Sequence, residues 1–317
     1  MNIKQLIKSR VSLAPMAGIT DYVLRSLVRK YSKTCLLTTE MISSEFLAQQ
    51  RKDTEITMLD EDHHPITYQI SGHKPAMIRA AAERLSLKAD IIDINMGCPV
   101  NKVVKGQDGC ALMRNPELAA DLVKAAKAGT DKPVSVKFRL GYTFDELNYV
   151  EFGQKMQDAG AEFITLHART RGQMYSGKAD WALIRRLKEN VDIPVFANGD
   201  VVSIDSGGKC IEVSQADGIA IGRGCLGDPT LLHRIEHFFK TGEKLPSPTL
   251  AEKIEMLKWH LDEEIKLRGQ DTGIKFMRKF YPYYISGIPN AAKLRSQLVI
   301  EDDYNKIIEH LQQLNYH

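Results

Sequence analysis

At 317 residues, with 43% hydrophobic and 26% charged content, the chain is too long for a minimal domain and too apolar for a disordered one. Its formal net charge of +3 neither demands a nucleic-acid partner nor excludes one bound through a local basic face. The five cysteines, at 35, 98, 110, 210 and 225, form no CxxC pair, which argues against a disulfide framework or a metal site and for a reducing compartment.

The opening MNIKQLIKSR lacks the apolar core of a signal peptide, and no run approaches the ~18 apolar residues of a membrane span, so a cytoplasmic protein is expected. Short β-rich runs then alternate with amphipathic segments. Strands are predicted at 11–14, 35–39, 66–70, 91–94, 134–138, 163–167, 194–197 and 218–221. Helices are predicted at 22–31, 75–87, 116–128, 146–158, 181–189 and 204–213, with an irregular loop and a short helix in the second gap. Eight strands alternating with helices over ~240 residues make an α/β protein of the (β/α)8 TIM-barrel type. No GxGxxG follows the first strand, which counts against a dinucleotide-binding open sheet.

After Gly227-Asp228-Pro229 the strand pattern stops. A helix at 230–240 leads into a polar, proline-bearing linker at 241–248, and further helices are expected at 249–267, 272–286, 290–298 and 302–314. The reading divides the chain into a barrel domain, 1–243, and a small C-terminal all-helical domain, 244–317, that must pack on the barrel because it is too small for a comfortable core of its own. In it Lys275, Arg278, Lys279, Lys293 and Arg295 interleave with Phe276, Phe280, Tyr281, Tyr283 and Tyr284, and Asp271 is the only acid nearby in sequence. Composition alone favours a solvated helix face over an aromatic core; a surface for phosphate backbones is the sharper alternative.

The predicted strand ends carry the chemistry. They present Pro15-Met16-Ala17, Glu40, Gln69, Asn95 with Cys98, Lys137 with Arg139, His167 with Arg169, Asn198-Gly199-Asp200 and Gly222-Arg223. Polar groups ending separate apolar strands are how a barrel builds a site on one face. Asn198-Gly199-Asp200 and Gly222-Arg223 fall where barrels bind phosphate, with glycine allowing close approach and arginine supplying charge. Gln69, Asn95, Lys137, Arg139 and His167 suit a flat heteroaromatic ring with carbonyl and imide edges. Lys137 admits two chemistries: a Schiff base, or stabilisation of negative charge beside a reduced flavin. Cys98 follows a glycine, precedes a proline and sits in a polar loop with Lys102 and Lys105, a poor setting for an inert core thiol.

PMAGITD at 15–21, YQISG at 68–72, DINMGCP at 93–99, VSVKFRLG at 134–141, LHART at 166–170, ANGD at 197–200 and IGRGCLGDP at 221–229 together resemble the tRNA-dihydrouridine synthase family, its bacterial B-type branch above all. The resemblance implies an FMN-dependent reductase that saturates the C5–C6 bond of uridines in the tRNA D-loop, with NADPH or NADH as reductant and no required protein partner. It implies that Pro15, Met16, Ala17 and Gln69 hold the isoalloxazine, that Lys137 and His167 lie along the ring and ribityl chain, and that Asn198, Gly199, Asp200, Gly222 and Arg223 take the phosphate. Asn95 and Arg139 would orient the uracil. Lys102, Lys105, Lys275, Arg278 and Lys279 would contact the RNA. Val100 and Asn101 depart from the family, which often has Ser or Ala and then a charged residue there. A thiol of ordinary pKa, ~8.5, is mostly protonated at neutral pH, which suits Cys98 as the acid that protonates C5 after hydride reaches C6. Alternatives are an FMN barrel enzyme acting on a free pyrimidine such as dihydroorotate or dihydrouracil, a Schiff-base aldolase using Lys137, and a non-catalytic RNA-binding protein.

Overall fold

The computed structural model describes residues 2–49, 54–287 and 290–313. Among the described residues nine parallel strands form: β1 (Val11–Leu13), β2 (Leu37–Thr38), β3 (Ile42–Ser43), β4 (Ile66–Ser71), β5 (Ile91–Met96), β6 (Val134–Arg139), β7 (Phe163–His167), β8 (Val195–Asn198) and β9 (Gly218–Ile221). Their order is β1-β9-β8-β7-β6-β5-β4-β2, β3 pairs with β4 beyond β2, and a bridge between Ser12 and Leu36 brings β1 back against β2. This is the expected (β/α)8 barrel. β4 and β5 are buried along their whole lengths because helices cover one face and the barrel interior the other.

Helices start where the sequence places capping groups. Asp21 caps Tyr22–Tyr31 and Asn115 caps Pro116–Gly129, the latter with proline in the first turn. The predicted helix at 146–158 begins only at Tyr149, because the backbone before it is taken up by a turn in which Gly141 bridges Leu147 and Asn148 N–H donates to Leu140 O. In the second gap β3 leads into the helix Ser44–Gln49, followed by two 3-10 turns, Glu55–Thr57 and Glu61–His63.

The barrel interior is layered by polarity. At its base Leu36, Ile91, Phe163 and Phe196 form a small apolar cluster with Ile3, Leu6 and Ile7, so the N-terminal helix Ile3–Leu6 plugs that end. Above them Ser12, Thr38, Thr67, Asp93, Ser135 and Thr165 line a narrow cleft. Gln69, Asn95, Lys137, His167 and Asn198 form the uppermost layer, where the register sets Asn95 beside Lys137 and His167 beside Asn198.

Beyond β9 the described residues form only helical elements: the 3-10 turn Arg223–Cys225, then Thr230–Thr241, Leu250–Arg268, Gln270–Met277, Tyr281–Tyr284, Ala291–Leu298 and Tyr304–Gln312. The segment predicted as one helix at 272–286 is two, with Pro282 confined to the first turn of the second. Ile254, Leu257, Leu261, Ile274, Met277 and Phe280 join the same apolar core as the barrel's outer layer, so these helices do not build a separate core. Among the described residues no helix is long and apolar enough to cross a membrane.

Candidate active site

The centre of the site is a chain of hydrogen bonds running from the barrel interior to Cys98. Asp93, 4% exposed, accepts from Ser135 Oγ at 2.6 Å and from Gln69 Nε2 at 2.8 Å. Gln69 Oε1 accepts from Asn95 Nδ2 at 2.8 Å, and Asn95 Oδ1 accepts from the backbone N–H of Cys98 at 2.9 Å and of Gly97 at 3.2 Å. A carboxylate only accepts, so it sets the direction of every amide above it and leaves an oxygen facing the Cys98 turn. Burial pushes the Asp93 carboxyl up to about 6, opposed by the hydrogen bonds from Ser135 and Gln69 and by the charge of Lys137.

The turn is pinned from outside as well. Arg139 Nε donates to Gly97 O at 2.9 Å, and its Nη1 donates to Thr170 O and Met174 O, so β6 ties the Cys98 turn to the loop after β7. Asn101 on the short helix Asn101–Lys105 accepts from Arg171 of that same loop. His73 meets Asp108 at 2.8 Å from the side of β4. Gly109 closes the loop against Cys98, and Cys110 N–H donates to Cys98 O at 3.0 Å. Burial pushes the Cys98 thiol above its ordinary pKa, outweighing the Val100 N–H and the cations Arg139 and Lys137, so the sulfur holds its proton at neutral pH.

The opposite wall is cationic. Lys137 Nζ donates to Asn198 Oδ1 at 2.9 Å and keeps two further N–H groups; burial, then Arg139, lowers it to about 8, with Asp93 opposing. Asn198 is braced in turn by donation to Ala220 O at 2.7 Å. His167 is lowered well below its ordinary pKa by burial and then by Lys137, Arg139 and Arg169, so it is a neutral imidazole. Gly199 has φ +122°, and a Cβ there would lie 2.8 Å from Ala179 and 3.2 Å from His167. Arg223 is half exposed at the rim. Met16 packs toward Gly222, so the loops after β1 and β9 meet.

The predicted site residues of the barrel thus converge on one mouth, but several are occupied differently from the sequence reading. The Asp200 carboxylate takes both of its oxygens to Arg169 Nη2, at 2.8 and 2.7 Å, and also accepts from Ala179 N–H, so its side chain braces an arginine and only its backbone is left for an anion. Arg139 spends three donors on carbonyls and acts first as a clamp on Gly97. Lys102 and Lys105 are exposed beside the mouth.

The C-terminal cations separate most. Lys275 is exposed, but Arg278 donates to Asp302 at 2.7 Å, so the acid count near this face was too low in sequence. Lys279 lies over the Phe276 ring and donates to Gly18 O, in the loop after β1. Phe280, Tyr281 and Tyr284 are buried, leaving Tyr283 as the exposed aromatic of the set. The basic-aromatic face read from sequence is therefore largely an aromatic core, because the helical period turns those rings inward; Arg278 is paired, Lys279 and Arg295 bond backbone carbonyls, and Lys275 and Lys293 stay exposed.

Sequence reasoning passed over Asp93, hidden in an apolar run, and Tyr175, half exposed between Arg139 and Arg223 with both guanidinium groups about 5.5 and 5.4 Å from its ring centre. A carboxylate inside a strand with isoleucines on both sides was the available signal for the first. Nothing in the local sequence marked Tyr175. Among the described residues no cluster of side chains could hold a metal ion.

A closed parallel barrel whose strand ends gather a protonated thiol, a depressed lysine and a rim of arginines is a (β/α)8-barrel enzyme with its site on the face of the strand C-termini. The dihydrouridine synthase (Dus) family model matches residues 12–315. A probable tRNA-dihydrouridine synthase 1 from Synechocystis sp. is 43% identical over 92% of this chain and 82% of its own length. The tRNA-dihydrouridine synthase B of Pseudomonas aeruginosa is 36% identical over 92% and 88%. Among solved structures, an old yellow enzyme homologue from Zymomonas mobilis shares the fold with a TM-score of 0.50 at 13% identity, covering 77% of this chain and 92% of that one. Histamine dehydrogenase from a Rhizobium species gives 0.55 at 14%, covering 80% and 48%. The chain belongs to the dihydrouridine synthase family and is therefore an oxidoreductase.

Proposed function

We propose that this protein reduces the C5–C6 double bond of D-loop uridines in tRNA to 5,6-dihydrouridine, in the cytoplasm, with FMN as bound cofactor and NADPH or NADH as reductant. The observation that carries the reading is the Asn95–Cys98 turn: a strand-end asparagine holding a thiol that burial keeps protonated, in a chain that matches the family from 12 to 315.

The mouth fits FMN. Its spare donors are Lys137 Nζ and Arg139 Nη2, with Arg223 only loosely paired to Asp200 at 3.7 Å, an excess of positive charge suited to an acceptor-rich, anionic group, and Gly199 and Gly222 leave room for close approach. Pro15, Met16 and Ala17, with Gln69, would hold the ring, Lys137 and His167 would lie along ring and ribityl chain, and the backbone of Asn198, Gly199 and Asp200 with Gly222 and Arg223 would take the phosphate. When bound, FMN supplies the hydride that goes to C6 of the uracil.

The chain's own residues do the rest. Cys98 holds a proton at Sγ and gives it to C5, where charge develops as C6 is reduced. Asn95 holds the Cys98 turn through Oδ1, and Arg139 fixes the Gly97 carbonyl, so the sulfur is set before substrate arrives. Neutral His167 adds no charge of its own beside the cations Lys137 and Arg169. Reaching this mouth requires the uridine to leave its stack. Exposed Lys102, Lys105 and Lys275 would meet backbone phosphates, and the helical region from about residue 244 would form one wall of the RNA site.

The test is to map dihydrouridine in tRNA from a strain lacking the gene, alongside the visible spectrum of the purified protein. Loss of D-loop dihydrouridine and a flavin spectrum are expected. A protein that takes up no flavin on reconstitution refutes the reading, and turnover of free uracil or dihydroorotate without RNA moves the substrate to a free pyrimidine.

A further inference from the structure

The loop after β1 is held in an unusual way. Gly18, φ +69° and exposed, offers its N–H to the Glu40 carboxylate from the strand-end of β2 and its C=O to the Lys279 ammonium from the helical region. The two peptide groups that flank the Gly18 Cα are thus held by opposite charges from two different parts of the fold, one by a carboxylate and the other by an ammonium. Lys279 is itself fixed, with Nζ 3.1 Å from the centre of the Phe276 ring and 5.3 Å from that of Phe280. Three residues on, Asp21 caps its helix through Oδ1 and accepts from Arg268 Nη2 at 2.7 Å through Oδ2, so a second helical-region cation holds the far end of the same loop. On the adjoining loop after β9, a Cβ at Gly227 would lie 2.4 Å from the Tyr283 backbone, so the helical region presses there as well. Both of these loops are among those expected to hold the cofactor, one at the ring and one at the phosphate.

We propose that Lys279, with Glu40, is a positioning pair for the cofactor loop: the helical region acts as a clasp on the flavin site through the Gly18 backbone, in addition to any part it takes in binding RNA. The inference rests on the FMN reading above. Lys279 acts through Gly18 and sets the turn that carries Met16 and Ala17. The helical region then contributes to flavin retention in the absence of RNA.

The experiment is FMN affinity of the full chain, measured without tRNA by fluorescence titration after flavin removal, with the visible spectrum of the reloaded protein as second readout. Lys279→Met keeps the apolar stem over Phe276 and removes the donor; it is expected to weaken FMN binding at least about tenfold and to shift the flavin band. Lys279→Arg, which can still reach Gly18 O, is expected to stay within about threefold of wild type, a rescue that general loosening of the domain contact would not give. Glu40→Gln, which alters the barrel-side hold on Gly18 N–H, is expected to weaken FMN in the same direction and serves if Lys279→Met does not fold. Lys266→Met, a distant exposed site on the same region, should leave FMN affinity unchanged. Wild-type FMN affinity in both Lys279→Met and Glu40→Gln overturns the inference, as does loss of tRNA affinity alone in Lys279→Met. Failure of the wild-type protein itself to bind FMN overturns the flavin reading instead.

Discussion

Gly109→Ala tests whether the placement of Cys98 governs turnover. Gly109 has φ +60°, and a Cβ built there would lie 2.7 Å from Cys98 O, 2.9 Å from Cys98 Cβ and 3.1 Å from Val103 Cγ1. Reaching ordinary contact at 3.4 Å from the carbonyl requires roughly 0.7 Å of movement, and that carbonyl is backbone, already bonded to Cys110 N–H. The left-handed conformation costs about 1–2 kcal/mol for a residue with a Cβ, and overpacking adds about 1–3, so a stability loss of about 2–5 kcal/mol is expected. A displacement approaching 1 Å at the proton donor predicts a fall in turnover of about a hundredfold. Gly242→Ala separates the two effects: it has φ +79° with nothing within 4 Å, so it should lose only the backbone part of the stability and none of the turnover. The assay is single-turnover dihydrouridine formation with flavin-loaded protein, alongside thermal unfolding. Folded Gly109→Ala protein turning over within about twofold of wild type would refute the reasoning.

Cys98→Ala should keep FMN and tRNA binding while losing about 10²–10⁴-fold in turnover; wild-type turnover would remove the acid role. Asp93→Ala leaves Ser135 Oγ and Gln69 Nε2 buried without an acceptor and should cost about 3 kcal/mol or more in urea unfolding, whereas Asp93→Asn, with one acceptor oxygen left, should cost less. The sign of the pH dependence follows from burial, which raises Asp93 to about 6: the folded protein keeps this proton after the unfolded chain has lost it. Stability from this group therefore declines as pH rises from about 4 to about 6, by at most about 1.4 kcal/mol per pH unit, and Asp93→Asn should lack that decline. Parallel pH–stability curves for the two proteins would contradict it. Replacing Lys102 and Lys105 together with alanine should weaken tRNA binding and reduce the magnitude of its log–log salt slope by about one to two; an unchanged slope would show that the loop meets no phosphates.

Much of this architecture was legible from periodicity and punctuation. The predicted strands at 163–167 and 218–221 and the helix at 22–31 match the observed bounds, because the two strands are short apolar runs and the helix is an amphipathic segment that Asp21 caps. The strand ends also pointed to the right face, since polar residues ending apolar strands can gather only at one end of a barrel. What failed was pairing at a distance. The Lys279–Gly18 contact spans 261 positions and Arg268–Asp21 spans 247, and neither has a local sequence signature. The basic run near 275 looked unopposed because Asp302 arrives from a later turn.

The sequence by itself determined the order of strands and helices, the strand-end chemistry and the thiol at position 98, because 2- and 3.6-residue periods, caps and turns are local properties. Tertiary structure alone decided which of those polar groups are free. Closing the barrel buried Asp93 and made it the base of a hydrogen-bonded chain to Cys98, and docking the helices drew Lys279 onto Gly18 and Arg268 onto Asp21. Those outcomes depend on which distant groups are brought within 3 Å and how much water is removed around them, and both are fixed only when the chain has closed on itself.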